Sequence, residues 1–276
     1  MQRLINKFLS VVGFSVLLST LAIATEPDRP AVISLIIDDI GNSPESGLAA
    51  LELPGDLVYS VLPNTPYATL LAEIAHEKGK QVMLHIPMEA EHHKELGPNG
   101  LLLNMTEPDY KAVLNHALQS VPHAVGMNNH MGSLLTQHQQ PMEWLMDVLL
   151  ERQLFFLDSR TTVKTVAQQT AVDMGVKTFR RDVFLDNSRN QEDILEQFNH
   201  LISLARRKGY ATGIAHPYPE TLAVLKEQIP ALQAKGVKLV FASEFLDQYT
   251  PKDQELTQRN ALWPVSSSPS HKVAKN

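Results

Sequence analysis

Two hydrophobic periods take turns along this chain, and the switch between them repeats almost to its end. Short apolar runs at 32–37, 57–62, 81–86, 124–127, 154–157, 176–179, 210–215 and 237–241 predict strands. Between them, apolar residues three and four apart predict helices at 44–53, 67–78, 107–120, 141–152, 165–174, 194–208 and 220–234. Gly79, Gly175, Gly209 and Gly236 stand as stops after helical stretches, and Thr106 is placed to cap the helix that follows it. The first run, 32–37, is apolar on both faces, as in a parallel sheet covered by helices. Strands and helices that alternate in this way argue for an α/β fold. The regular beat, short connections and lack of an internal repeat favour a closed or nearly closed barrel over an open sheet. Two smaller domains are the alternative that the length leaves open.

The ends of the chain break the pattern. Arg3 and Lys7 precede an apolar stretch at 8–23, and Ala22-Ile23-Ala24 offers small residues where a signal peptidase reads. A cleaved signal peptide over 1–24 is the expectation, with a periplasmic location. An uncleaved anchor is the alternative, because the apolar stretch approaches the roughly 20 residues of a membrane span. Beyond about residue 249 periodicity stops, so the barrel is expected over 25–250 and an irregular or disordered tail over 251–276.

Composition narrows the chemistry. Without cysteine the chain has no disulfide and no thiolate. A net charge of -6 with no basic block excludes nucleic acid as a partner. Eleven histidines direct any metal chemistry to imidazole and carboxylate ligands.

Polar residues recur where the predicted strands end, at the mouth where a barrel gathers its chemistry. Asp38 and Asp39 end the first strand; such a pair needs a cation, a shared proton or solvation. His85 ends the third strand and His130 follows the fourth. Asp158, Ser159 and Arg160 end the fifth, Arg180-Arg181-Asp182 lies past the sixth, and His216 ends the seventh. Each has an ordinary reading: the Asp pair as a helix cap, the histidines as satisfied polar residues, Asp158 as a loop anchor for Arg160. His92 and His93 read as solvated loop residues, and His76, His116, His123, His138 and His200 as surface or edge positions. Taken together, one carboxylate and two imidazoles suit zinc or a similar divalent ion. A second carboxylate then supplies a base and a further histidine an acid. Metal-assisted hydrolysis of an amide or ester is the matching reaction class.

Four segments carry a resemblance. Ile36-Ile37-Asp38-Asp39-Ile40-Gly41, His85-Ile86-Pro87-Met88-Glu89, Asn128-Asn129-His130-Met131-Gly132-Ser133 and Ala215-His216-Pro217 resemble the signatures of the divergent polysaccharide deacetylases, remote relatives of carbohydrate esterases with the NodB homology domain. The resemblance implies a distorted (β/α) barrel of seven or eight mostly parallel strands. It also implies removal of acetyl groups from N-acetylated glycans with a divalent metal, zinc being the expected ion. By position Asp38 is similar to the family's base and Asp39 to its metal ligand. The second motif of the larger superfamily is His-x-x-x-His, and here Glu89 replaces its second histidine. Asp39, His85 and His130 are therefore the expected ligands, with Glu89 in reserve. His216 occupies the place of the catalytic histidine.

An Arg-x-Pro segment that lines the pocket in the superfamily has no clean counterpart. Arg160 or Arg181 stands in for it, with Asn129 and Asp158 as further substrate-binding candidates. The leading expectation is an exported hydrolase acting on an acetylated cell-envelope glycan, touching the membrane only through an uncleaved N-terminal segment. The altered second motif motivates a second reading, a non-catalytic glycan-binding or regulatory barrel. A metal-independent glycosidase is disfavoured, since it needs carboxyls about 5–10 Å apart across a cleft.

Overall fold

The computed structural model describes residues 30–91, 96–97 and 99–249. The expected signal segment, His92, His93 and the expected tail over 251–276 lie outside them. The order is β1 (Ala31–Ile40), α1 (Pro44–Leu51), β2 (Val58–Val61), α2 (Ala68–Glu77), β3 (Gln81–Met88), α3 (Glu107–Ser120), β4 (Ala124–Met131), α4 (Gln139–Glu151), β5 (Phe155–Asp158), α5 (Ala167–Met174), β6 (Thr178–Arg180), β7 (Val183–Phe184), α6 (Gln191–Lys208), β8 (Tyr210–Ala215), α7 (Pro219–Gln228), β9 (Val237–Leu239) and α8 (Ala242–Tyr249). Strands lie in the order β6-β5-β4-β3-β2-β1-β8-β7, every pair parallel. β9 joins the first residues of β1, upstream of where β2 pairs with it.

The sheet curls into a distorted barrel, and the distortion has a local cause. β6 and β7 stand at opposite ends of the strand order, yet only Arg181 and Asp182 separate them. The Arg181 N–H donates to the carbonyl of Asp158, the last residue of β5, and the Asp182 N–H donates to the Thr212 carbonyl on β8, both at 3.0 Å. One extended segment thus pairs with one edge and then with the other, and it closes the curl without a continuous ladder. The pattern of the sequence places no strand at Val183–Phe184 because two residues carry no period.

Alternation along each strand sorts side chains between two cores. Val32 and Ile36 of β1, Val58 of β2, Met83 of β3, Phe155 and Leu157 of β5 and Ile214 of β8 point inward. Ile33, Leu35 and Ile37 point outward beneath the helices, with Leu84, Phe156 and Ala211. Phe245 and Leu246 of α8 join the inner cluster with the first residues of β1 and β5, so α8 stoppers the end of the barrel where the strands begin. Phe245 packs on Phe179 and Tyr210 at ring distances of 5.2 and 5.5 Å. The other mouth, at the strand C-termini, is left for chemistry.

The outer layer is tight at Gly213 of β8. A Cβ there would lie 2.8 Å from methyl groups of Leu35, Leu185 and Leu201, all fully or almost fully buried. Gly213→Ala is expected to lower unfolding free energy by about 1–3 kcal/mol through overpacking. Urea denaturation of the variant beside wild type checks this, and an unchanged midpoint would contradict the packing.

Candidate functional site

In a regular strand Asp38 and Asp39 would face opposite sides of the sheet. The register of β1 against β2 slips between Ile37 and Ile40, and Asp39 sits in the left-handed region at φ 59. This bulge turns both carboxylates towards one mouth, at the cost of about 1–3 kcal/mol of backbone strain. Met131, the last residue of β4, and Arg160, two residues past β5, share that unusual backbone at φ 53. Gly41, the next residue but one after Asp39, has φ 132 and leaves no room for a Cβ against Thr65.

Asp39 meets two imidazoles. His130 Nδ1 lies 2.9 Å and His85 Nε2 3.3 Å from Asp39 Oδ1, and the two nitrogens are 3.2 Å apart. Asp39 Oδ1 is buried and accepts no well-directed hydrogen bond, although both nitrogens crowd it. A tetrahedral ion with bonds of about 2.0–2.1 Å separates its ligand atoms by about 3.3 Å. The triangle and its orphaned oxygen therefore fit a divalent cation. This is the one cluster of three potential ligand residues found among the described residues.

The ring of His85 is oriented from behind. Its Nδ1 is 2.7 Å from Asn128 Oδ1, which also accepts a short hydrogen bond from the Ser60 hydroxyl. A proton on Nδ1 leaves the Nε2 lone pair facing the triangle. The same carboxamide donates Nδ2 to Asp38 Oδ1 at 2.9 Å and Oδ2 at 3.1 Å, and to Ser159 Oγ at 3.2 Å. Asn128 and Ser60 are fully buried, and His85 and Asp38 nearly so.

Burial pushes the Asp38 carboxyl above its ordinary range, against the pull of His85, His216 and Asn128. Burial acts on Asp39 too, but the His130 and His85 imidazoles crowded against it outweigh burial and hold that carboxyl well below the usual range. Two adjacent aspartates are thus set apart, one inclined to hold a proton and the other held charged.

His216 lines the same cleft, its Nε2 3.8 Å from Asp39 Oδ2. Burial alone would lower its pKa; the bond to Asp186 and the nearby Asp38 raise it to about 9. Asp186 holds Nδ1 at 2.9 Å, accepts from the His216 backbone N–H at 2.6 Å, and accepts from Thr221 Oγ1 at 2.9 Å. Phe184 and Tyr218 flank the ring.

These groups open on a cavity of about 640 Å³ whose wall includes Asn129, Ser159, Arg160, Arg181, Phe184 and Ile214. Asn129 turns its amide to Ser159 N–H and the Met131 carbonyl. Asp158 is fully buried and does not reach the cavity. Its oxygens accept from Arg160 N–H at 2.8 Å and Thr165 Oγ1 at 3.0 Å, so it anchors the loop, and direct substrate contact is corrected to that role.

Glu89, the reserve ligand, is also corrected. Residues four apart in a strand stand roughly 13 Å apart along its axis, and β3 stays extended from His85 to Met88. Glu89 instead accepts from Leu103 N–H at 2.7 Å, pinning the loop after the strand.

The pattern of the sequence did not single out Asp186, Asn128 or Ser60. Asp186 follows Val183-Phe184-Leu185, so the strand-end rule reaches it only once the two-residue β7 is seen. Ser60 faces inward from a short buried strand whose other hydroxyl, on Tyr59, bonds to the Ala50 carbonyl beneath the helices.

The model of the divergent polysaccharide deacetylases matches residues 35–246. An uncharacterized protein of Escherichia coli, YibQ, is 37% identical over 260 residues, 94% of this chain and 80% of that one. An uncharacterized protein of Haemophilus influenzae is 38% identical over 194 residues, 70% of this chain and 69% of that one. Among solved structures, uncharacterized protein ATU2773 of Agrobacterium tumefaciens superposes with a TM-score of 0.76 at 22% identity, covering 79% of this chain and 89% of that one. Peptidoglycan deacetylase PdaC of Bacillus subtilis shares the fold at a TM-score of 0.50 and 15% identity, covering 86% of this chain and 99% of that one. The family match spans most of the chain and contains every residue of the cleft, and the chain belongs to the divergent polysaccharide deacetylase family.

Proposed function

We propose that the chain is an exported, divalent-metal-dependent hydrolase that removes acetyl groups from an N-acetylated cell-envelope glycan. The observation that carries this reading is the cleft itself: the Asp39, His85 and His130 triangle is bordered by Asp38, 3.6 Å from His85 Nε2, and by His216, backed by Asp186, 3.8 Å from Asp39 Oδ2. Asp39, His85 and His130 would hold the ion, with zinc suited to the donor set. A bound ion supplies Lewis acidity to the acetyl carbonyl and to water. Asp38, with its affinity for a proton raised by burial, takes the proton of the attacking water. His216 gives a proton from Nε2 to the departing sugar amine, and Asp186 fixes the ring that delivers it. Acetate and a free amine are the products. The basic start and Ala22-Ile23-Ala24 support export to the periplasm.

The reading is tested by incubating the zinc-loaded protein with N-acetylglucosamine oligomers and with acetylated envelope glycan. Free amine and acetate in equal amounts are expected; their absence from every substrate at every metal tried would leave a non-catalytic binding protein. Asp186→Asn is expected to lower kcat by about 10²-fold, because it disorders the acid without touching the ligands. Metal content and KM should hold, and loss of metal in this variant would contradict the assignment.

A further inference from the structure

The wall of the cleft carries two arginines that the hydrolytic chemistry does not use. Arg160 and Arg181 both line the cavity and are both half-buried. Neither forms an ion pair among the described residues. Arg181 is fixed by two backbone carbonyls: its Nε donates to Ser159 O at 2.7 Å and its Nη2 to Arg160 O at 2.9 Å. A guanidinium has five N–H donors, so about three remain on Arg181, and its flat face lies 5.3 Å from the Phe184 ring centre. Arg160 makes no side-chain hydrogen bond among the described residues, and its backbone is held at φ 53.

The support behind them is specific. Buried Asp158 bonds to Arg160 N–H and to Thr165, which shapes the loop whose carbonyls hold Arg181. Burial disfavours charge on Arg181, Asp158 offsets only part of that, and the neighbouring Arg160 adds repulsion. Two like charges are thus held near each other, partly desolvated, on the wall of one cavity. Such an arrangement is unfavourable for the free protein and becomes favourable when an anion enters. Glu91 and Asp38 on the same cavity wall already supply negative charge, so one further carboxylate suits the site better than a multiply charged group.

We propose that Arg160 and Arg181 form an anion subsite, and that the glycan taken by this cleft carries a carboxylate on or beside its acetylated sugar. The proposal rests on the deacetylase reading of the same cleft and narrows its substrate to acidic acetylated glycans.

The test uses two disaccharides that differ in one lactyl ether. N-acetylglucosaminyl-N-acetylmuramic acid carries the carboxylate and di-N-acetylchitobiose does not. Their binding to the zinc-loaded full chain is measured by calorimetry at low and at high salt. The acid is expected to bind at least about tenfold tighter at low salt, the scale of one charge-assisted hydrogen bond, and salt should narrow the gap. Arg160→Gly removes a cation at a position whose backbone suits glycine, and Arg181→Lys keeps the charge but loses the fork. In Arg160→Gly the ratio should fall to within about twofold of one, and in Arg181→Lys it should fall several-fold. Equal binding of the two sugars, no measurable binding of the acid, or a preference that survives Arg160→Gly would overturn the proposal. Acetate release read from the same samples separates the two ideas. Preference for the acid without acetate release removes only the hydrolase reading, and release from both sugars at equal kcat/KM without a binding preference removes only the anion subsite.

Discussion

Asp38→Asn is expected to lower deacetylation by about 10³-fold or more while the ion stays bound. The expected loss is within the 10²–10⁴-fold that a positioned base typically contributes, and corresponds to about 4 kcal/mol of barrier. Asp38 lies 3.6 Å from His85 Nε2 but outside the three-residue ligand cluster. An amide there still accepts one hydrogen bond from Asn128 and fills the same volume. Structure and ligand triangle should therefore survive, and only the capacity to accept a proton is lost. Acetate release and metal content measured on one preparation decide the matter. Loss of both together would make Asp38 a ligand, and retained turnover would remove it as the base.

Replacing either imidazole has the other large effect. His85→Ala and His130→Ala are each expected to weaken zinc binding by at least about 10²-fold, more than the 10–100-fold typical of an outer-shell partner. The two variants should differ in stability. His85 is almost fully buried and hydrogen-bonded to Asn128, so its truncation leaves a cavity and is expected to cost about 2–4 kcal/mol. His130 is 21% exposed at the cleft edge, and its loss should cost less than about 1 kcal/mol. Zinc titration with a competing chelator, beside urea denaturation, resolves the two effects. Equal metal affinity in wild type and His130→Ala would send the third ligand elsewhere.

Much of the architecture is written in the pattern of the chain. The apolar runs reappear as β1 to β6, β8 and β9, and β1, β2 and β5 are apolar or buried almost throughout because helices and the inner core cover both of their faces. Asp38, Asp39, His85, His130 and His216 gather at one mouth because all lie in or just past the C-terminal halves of their strands, although β3 and β4 run on beyond the expected ends to Met88 and Met131. What the pattern does not show is set by three-dimensional details with no period. The bulge that brings Asp38 and Asp39 to the same side is a one-residue slip. Closure through Arg181 and Asp182 depends on a segment too short to read. Asn128 sits beside Asn129 in sequence, and only the inward parity of β4 decides which of the two reaches both His85 and Asp38. Glu89 is misleading for the opposite reason: its spacing from His85 resembles a ligand pair, but an extended strand carries it away.

The most direct test of the central claim is acetate release from an N-acetylated glycan followed while zinc is removed and returned. The account predicts that release stops as a chelator strips the protein and resumes as about one equivalent of zinc per chain is restored. Release that is indifferent to the chelator, or its absence from a chain that holds a full equivalent of zinc, would contradict it.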